Sequence, residues 1–593
     1  MSRASGGDEH PPAPLNPARR ATWLLTVASI AVALAAADTY VVVLALPDMM
    51  AGVGLSIDDL QKATPVISGF LLGYIAVLPL LGRLSDLVSR RRVLLWCLAL
   101  FVVGSAVTAL AVDLGVLVGG RVVQGIGGGG LVPATLALVA DLWPPHRRGT
   151  PLGVVGAVQE VGSVLGPLLG AAVLAVSDWR GIFWLNVILG LLLAAALALA
   201  GRTRTIATSS GGTEPPERAP QRRWGVYALL AVGVAAVLLA LAAPRGLTRQ
   251  VTVGLPFVPI RGLADVIGTR LATPLGLFGL VAVLVWVALA AAANRGVLRR
   301  VDLPGAVLVA VALGALVLSF ASADPEKEAV GPWGVVLLPL AAVAVFGSLA
   351  WHRLAPEPLF PRGLFTGRVV FGALTSVAVG AALVAVVVDV PVLARLTLTD
   401  SQTAAALVLV RFLLALPIGA LLGGALLRRV GPGAVAFVGL LLAAGALFVM
   451  STWGRSTLTE HGAGLGSVTI TLVAAGFGLG LAIAPVNAAV LDDVDADSHG
   501  VAGSLVVVAR MIGMVVGLAL LTAYGLRRFY AYTATLPAET ALHDPMILLD
   551  AGIVQVQTVF LGAAACALAG ALCALGLGLR AAHAQRTGGV PQP

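Results

Sequence analysis

About sixteen times along this chain, a run of some 20 residues passes with almost no charged side chain. A helix rises 1.5 Å per residue, so each run matches the ~30 Å hydrocarbon core of a bilayer, whereas outer-membrane strands would need ~10-residue alternating segments. In lipid each backbone amide must be satisfied locally, so runs of this length fold as helices. Of the 593 residues 59% are hydrophobic and 11% charged, and the mean hydropathy is +0.98. The chain therefore reads as an all-α polytopic membrane protein with about 14–16 transmembrane helices.

The polar stretches divide it. Residues 1–20 form a Pro-rich tail with Arg3, Arg19 and Arg20, and the run that follows has no cleavage site, so it is expected to remain as the first span. Six runs fill 21–200, and RTRTIATSSGGTEPPERAPQRR within 201–223 reads as a linker. An insert of two runs occupies 224–300, two more runs and an elbow occupy 301–368, six runs fill 369–582, and 583–593 is a tail. Arg83, Arg90, Arg91, Arg92, Arg147 and Arg148 fall on connectors that alternate with those carrying Asp48, Asp58, Asp59 and Asp113. That bias places the N-terminus in the cytoplasm, and it makes the net charge of +9 an orientation signal rather than a sign of nucleic-acid binding. One loop breaks the pattern: Arg245, Arg249, Arg261 and Arg270 stand against Asp265, so the runs 224–243 and 272–293 either span or are re-entrant or interfacial. Cys97, Cys566 and Cys573 lie inside apolar runs with neither disulfide nor metal-ligand spacing.

The outer sets of six look like copies. Asp38 is matched by Asp389 (389 − 38 = 351), Pro133 by Pro485 (485 − 133 = 352) and Glu160 by Arg510 (510 − 160 = 350). Parallel six-helix repeats with a substrate path between them are a transporter architecture. Charge inside a span costs ~2.5 kcal/mol or more unless paired or wetted, which singles out Asp38, Arg121, Glu160, Asp389, Arg411 and Arg510. Asp38 and Arg121 lie at similar depth and are expected to pair across a cavity. Asp389 and Arg411 form either a structural ion pair or a working one. Glu160 and Arg510, from different halves, are expected to meet and to exchange ion pairing for a proton.

Three motifs add a resemblance. GRLSDLVSRRR supplies Gly82, Leu84, Asp86, Arg90 and Arg91; LVGGRVVQGIGGGG, after Leu117, supplies Arg121, Gln124, Gly125 and Gly127; and Gly153, Gly162, Gly166, Pro167 and Gly170 line one helix. Small residues at this spacing also pack membrane helices of every function. Together the motifs resemble the signatures of the major facilitator superfamily, the last being its antiporter signature, with Leu87 and Ser89 as departures. The resemblance implies two six-helix pseudo-repeats joined by linker helices and an extra insert. It also implies proton-coupled secondary transport with no cofactor beyond the proton gradient, a latch at Asp86 that caps a neighbouring helix, and an Arg121 that assists proton movement.

Within the fourteen-span drug:proton antiporter group, DTYVVV at 38–43, LLGYIAVLPLLGRLSD at 71–86, VQEVGSVLGPL at 158–168 and VVVARMIGMVVG at 506–517 are similar to the branch that exports triacylglycerides with a lipid-binding lipoprotein. VDLPG at 301–305 and LFPRGLF at 359–365 would bracket its two linker helices. That implies a monomer in the plasma membrane moving a hydrophobic small molecule or lipid, with a lipoprotein as an extracytoplasmic partner. An amphipathic drug fits the same apolar path. An intramembrane lipid enzyme ranks low, because all seven histidines sit in tails or connectors without a catalytic spacing. DDVDAD at 492–497 reads as a solvated acidic connector, and no phosphate-binding loop is present.

Overall fold

A computed structural model describes residues 17–55, 60–199, 223–248, 254–260, 262–321, 330–399, 402–427, 429–458, 466–534 and 545–579. Most of the N-terminal tail, all of the C-terminal tail, the linker up to residue 222, Asp58, Asp59, Arg249 and Arg261 lie outside the described residues. Sixteen described helices are long and apolar enough to cross a membrane. The first six are α1 (Pro17–Gly52), α2 (Leu60–Leu87), α3 (Arg90–Leu110), α4 (Leu114–Leu142), α5 (Pro145–Leu174) and α6 (Trp179–Leu199). The middle four are α7 (Arg223–Ala242), α8 (Pro274–Ala293), α9 (Leu303–Ala321) and α10 (Gly334–Leu354). The last six are α11 (Gly367–Thr397), α12 (Gln402–Leu426), α13 (Pro432–Met450), α14 (Ser467–Asp492), α15 (His499–Thr533) and α16 (Pro545–Ala574).

Starts are set by local chemistry. Asp113 caps α4 by accepting from the Val116 amide at 3.1 Å, Thr366 caps α11, and Pro145, Pro274 and Pro432 occupy first turns where no amide partner is needed. Bundling then depends on small residues. A Cβ on Gly125 of α4 would lie 2.1 Å from the Phe70 carbonyl oxygen of α2, and one on Gly476 of α14 would lie 2.2 Å from that of Phe412 of α12. Only glycine admits such an approach.

These paired approaches fix the register of the repeat. Gly125 and Gly476 differ by 351 (476 − 125), Phe70 and Phe412 by 342 (412 − 70). Gly162 of α5 rests on Ala33 of α1 as Gly513 of α15 rests on Val377 of α11, giving 351 (513 − 162) and 344 (377 − 33). The offset is therefore not constant. It grows by nine (351 − 342) between α13 and α14, where the connector is longer than its counterpart between α3 and α4. Asp389 consequently aligns with Ala45 rather than Asp38, and Arg510 with Gln159 rather than Glu160.

The insert is a helical hairpin: α7 and α8 pack together, and α7 leans on α3. Their loop returns to the α3–α4 turn, where Asp113 accepts from the Thr269 amide at 3.3 Å and Arg270 donates to the Leu241 carbonyl. Burial first, then the Arg180 guanidinium, lowers the proton affinity of Arg270 below its ordinary value, against the opposing pull of Asp113. Both helices have spanning length. Helix α9 packs on α2 and α15, and α10 on α9. The two motifs around this pair meet at Asp302, whose carboxylate accepts from the Gly305 amide at 3.1 Å, the Leu359 amide at 2.8 Å and the Trp351 indole at 2.7 Å.

Candidate functional site

The deepest polar cluster lies inside the first six helices. Arg121 and Asp38 are 0% and 1% exposed and form an ion pair. Gln124 receives a bond from Arg121 at 2.7 Å and donates to Asp38 and to Ser105, each at 2.9 Å. Asn186 of α6 donates to Asp38 at 2.5 Å, the Arg121 Nε reaches the Val66 carbonyl at 3.3 Å, and the guanidinium sits 4.3 Å from the Phe70 ring centroid. A buried pair is tolerated when its remaining donors and lone pairs find partners, and here the Arg121 Nε and Nη1 and both Asp38 oxygens do. The expected Asp38–Arg121 pair exists, but not across a cavity: Phe70 and Phe183 enclose it within one half.

The other expected pair does cross the halves. Arg510 of α15 approaches Glu160 of α5 at 3.4 Å, and Glu160 is buried. Beside them is a cavity of about 30 Å³, lined by Arg510, Gln159, Ser376 and Asn487 and otherwise by aliphatic side chains such as Leu136 and Val379.

On the arginine-rich side of that pair the halves are shut. Asp86 at the end of α2 accepts from the Gly500 and Val501 amides at 2.7 and 3.0 Å, capping the first turn of α15. Arg90 braces it, at 2.8 Å from Asp86 and 3.2 Å from Asp141, with a third bond to the Ala496 carbonyl at 3.3 Å. A Cβ on Gly82 would meet the Gly500 carbonyl oxygen at 2.6 Å. Arg148 pairs with Asp492 at 2.8 Å, and Asp493 with Thr366 and, at 3.7 Å, Arg368. The acidic run is thus partly consumed by cross-half bonds, not simply solvated. Arg91 does something else: it donates to the Leu197 and Ala198 carbonyls at 2.9 and 2.7 Å, closing the end of α6. Ser89, where the signature has glycine, has φ −56°, which any residue adopts.

The glycine ridge of α5 serves two contacts. Gly149 and Gly153 press on Gly424 and Ala420 of α12, across the halves, whereas Gly162 and Gly166 press on Ala33 and Ala37 of α1, within one. Gly170 is buried. Eighteen residues make five helical turns, so Pro167 and Ala171 continue the face of Gly149 and Gly153. Both are exposed, so the halves touch before Glu160 and part beyond it.

Asp389 and Arg411 are not brought together. The Asp389 Oδ2 is buried with no hydrogen-bond partner among the described residues, and no described ion pair joins it to Arg411. Sequence reasoning passed over Ser105, Asn186, Gln159, Ser376 and Asn487. Their common signal is a polar side chain within an apolar run.

Two six-helix halves with a buried ion pair between them, closed at one end and parted at the other, define a membrane carrier of the alternating-access class. The chain belongs to the Major Facilitator Superfamily, whose family model matches residues 28–352. It is a multi-pass membrane transporter. A triacylglyceride transporter of Mycolicibacterium smegmatis is 35% identical over 581 residues, covering 95% of this chain and 88% of that one. A triacylglyceride transporter of Mycobacterium tuberculosis is 35% identical over 525 residues, covering 87% and 84%. Among solved structures, a proton:xylose symporter shares the fold with a TM-score of 0.51 at 15% identity, covering 92% of this chain and 95% of that one. The human organic anion transporter MFSD10 does so with a TM-score of 0.50 at 16% identity, covering 93% and 100%.

Proposed function

We propose that this protein is a proton-coupled antiporter that exports neutral lipids of the triacylglyceride class from the plasma membrane, with its N-terminus and arginine-rich end in the cytoplasm. The observation that carries the coupling is the Glu160–Arg510 contact, one residue from each half at the level where the halves part. Wider parting of the outer side than in this structure separates the pair. Glu160 then takes up a proton from the outer side as the substrate leaves. On return the proton departs to the cytoplasm and Arg510 again neutralises the carboxylate. A buried carboxyl that must be either paired or protonated ties each state of the carrier to one state of the proton site.

The substrate class is supported by the aliphatic cavity wall and by the likeness to the two mycobacterial triacylglyceride transporters named above. The first signature's latch at Asp86 and the cross-half glycines Gly149 and Gly153 hold the cytoplasmic side shut while the outer side is open. In this reading Asp38, Arg121, Gln124 and Gly125 form the fixed electrostatic core of the N-terminal half, and Asp389 and Arg411 are secondary charges of the other. The carrier works as a monomer and passes lipid to an extracytoplasmic lipid-binding lipoprotein.

The test is a proteoliposome assay with an imposed proton gradient, following a labelled triacylglyceride and a cationic dye in parallel. Gradient-dependent lipid movement is the expected result. Movement of the dye alone would replace the lipid reading with multidrug efflux.

A further inference from the structure

The cavity beside Glu160 and Arg510 is polar in an unusual way. Gln159, Ser376 and Asn487 line it, and they are 8%, 4% and 9% exposed. They come from α5, α11 and α14, so both halves contribute. Two other buried amides are bonded: Gln124 donates to Asp38 and Ser105, and Asn186 donates to Asp38. The side chains of Gln159, Ser376 and Asn487 enter no hydrogen bond among the described residues. Their polar atoms face the cavity rather than a protein partner, and three around one small space point to a ligand that supplies what the protein does not.

The chemistry of that ligand follows from the donor set. Two carboxamides, a hydroxyl and the Arg510 guanidinium all donate, and the single carboxylate nearby, Glu160, already faces Arg510. With that pair neutral, neither an anion nor a cation finds a counter-charge. A neutral molecule with several acceptor oxygens does. The rest of the wall is aliphatic, including Leu136, Val379, Ile483 and Val507, which suits hydrocarbon chains leaving such a polar centre.

We propose that Gln159, Ser376 and Asn487 form a carbonyl cradle that reads the ester oxygens of a glyceride backbone, so that the carrier distinguishes an ester lipid from a hydrocarbon of equal size. This rests on the lipid-export reading and adds the group that is recognised. The cavity of about 30 Å³ is water-sized in the present conformation, room for an oxygen atom and not for a glycerol unit, so the cradle fills as the halves part further. Gln159 and Arg510 are register mates in the two halves (510 − 159 = 351), so one donor from each copy of the repeat flanks the ligand.

The experiment uses the full-length chain in nanodiscs and compares retention of trioleoylglycerol with that of its trialkyl ether, which has the same chains and no carbonyl oxygens. The wild type is expected to retain the ester about tenfold better, the effect of leaving buried donors unpaired in the ether complex. Gln159→Leu and Asn487→Leu are expected to cut that ratio to about two- or threefold, each for loss of one donor. Ser376→Ala is the mildest change and should lower it measurably. Each value is a ratio within one protein, so a variant that folds in poor yield is still read. Equal retention of ester and ether by the wild type, or an unchanged ratio in all three variants, overturns the cradle and leaves lipid export standing. Retention of neither by the wild type overturns both.

Discussion

The two six-helix halves repeat each other's packing and divide the chemistry unequally. Where α4 carries Arg121 and Gln124, α14 carries Leu472 and Ala475 (472 − 121 = 351; 475 − 124 = 351), and where α1 carries Asp38, α11 carries Ala382 (382 − 38 = 344). The first half therefore holds a hydrogen-bonded charge cluster, while the corresponding place in the second is filled with apolar side chains. What the repeat preserves is the set of close glycine approaches that fix helix spacing. The charges are free to differ. The N-terminal half carries the fixed core and the acid Glu160; the C-terminal half brings a cation to it and an acidic edge to the closed end.

The largest test of that contrast removes Arg121. Arg121→Leu leaves Asp38 buried without its cation and should cost ~3–5 kcal/mol, read as a collapse of thermal stability in detergent. Adding Asp38→Leu to it should recover most of the loss, because the second half shows that this packing tolerates an apolar filling. If the single and double variants are equally unstable, the cluster is not held by its charges.

Next in size is the closed end. Asp86→Ala removes the cap from α15 and the brace from Arg90, a loss of ~1–2 kcal/mol that falls only on the closed state. A cysteine placed at Leu136 should then react with a water-soluble maleimide about five- to thirtyfold faster from the arginine-rich side. Unchanged reactivity would mean that the latch is ornamental.

Asp389→Leu probes the half with the lone acid. Since that carboxyl has no described partner, its removal should change stability by less than ~1 kcal/mol, or raise it, in contrast to Arg121→Leu. A loss comparable to that of Arg121→Leu would show that the second half has a polar core of its own. The smallest effect is expected of Ser89→Gly, which restores the signature residue: at φ −56° glycine relieves nothing and should cost ~0.5–1 kcal/mol in melting experiments through chain entropy.

Much of this was legible in the sequence because membranes make rules strict. Run length gave the spans, the resemblance of 82–92 to the superfamily's loop signature gave the latch, and the cost of intramembrane charge gave both Asp38–Arg121 and Glu160–Arg510. Three things were hidden. The register of the repeat was misread because the offset grows by nine (351 − 342 = 9) across one longer connector, which no apolar pattern reveals. Asp492 looked solvated because its partner Arg148 lies 344 residues away (492 − 148), at the edge of the other half. Buried amides such as Asn186 and Asn487 drew no notice because a single polar side chain interrupts hydropathy less than a charge does, although its need for a partner is just as real.

The central claim is that Glu160 exchanges Arg510 for a proton as the halves move. It is tested most directly by following labelled triacylglyceride out of proteoliposomes with and without a proton gradient, for the wild type and Glu160→Gln. The amide keeps the shape of the side chain and cannot carry the exchanged proton, so the variant should show the same slow lipid movement in both conditions, with the gradient-dependent component reduced at least about tenfold. A Glu160→Gln protein that responds to the gradient as the wild type does would contradict it.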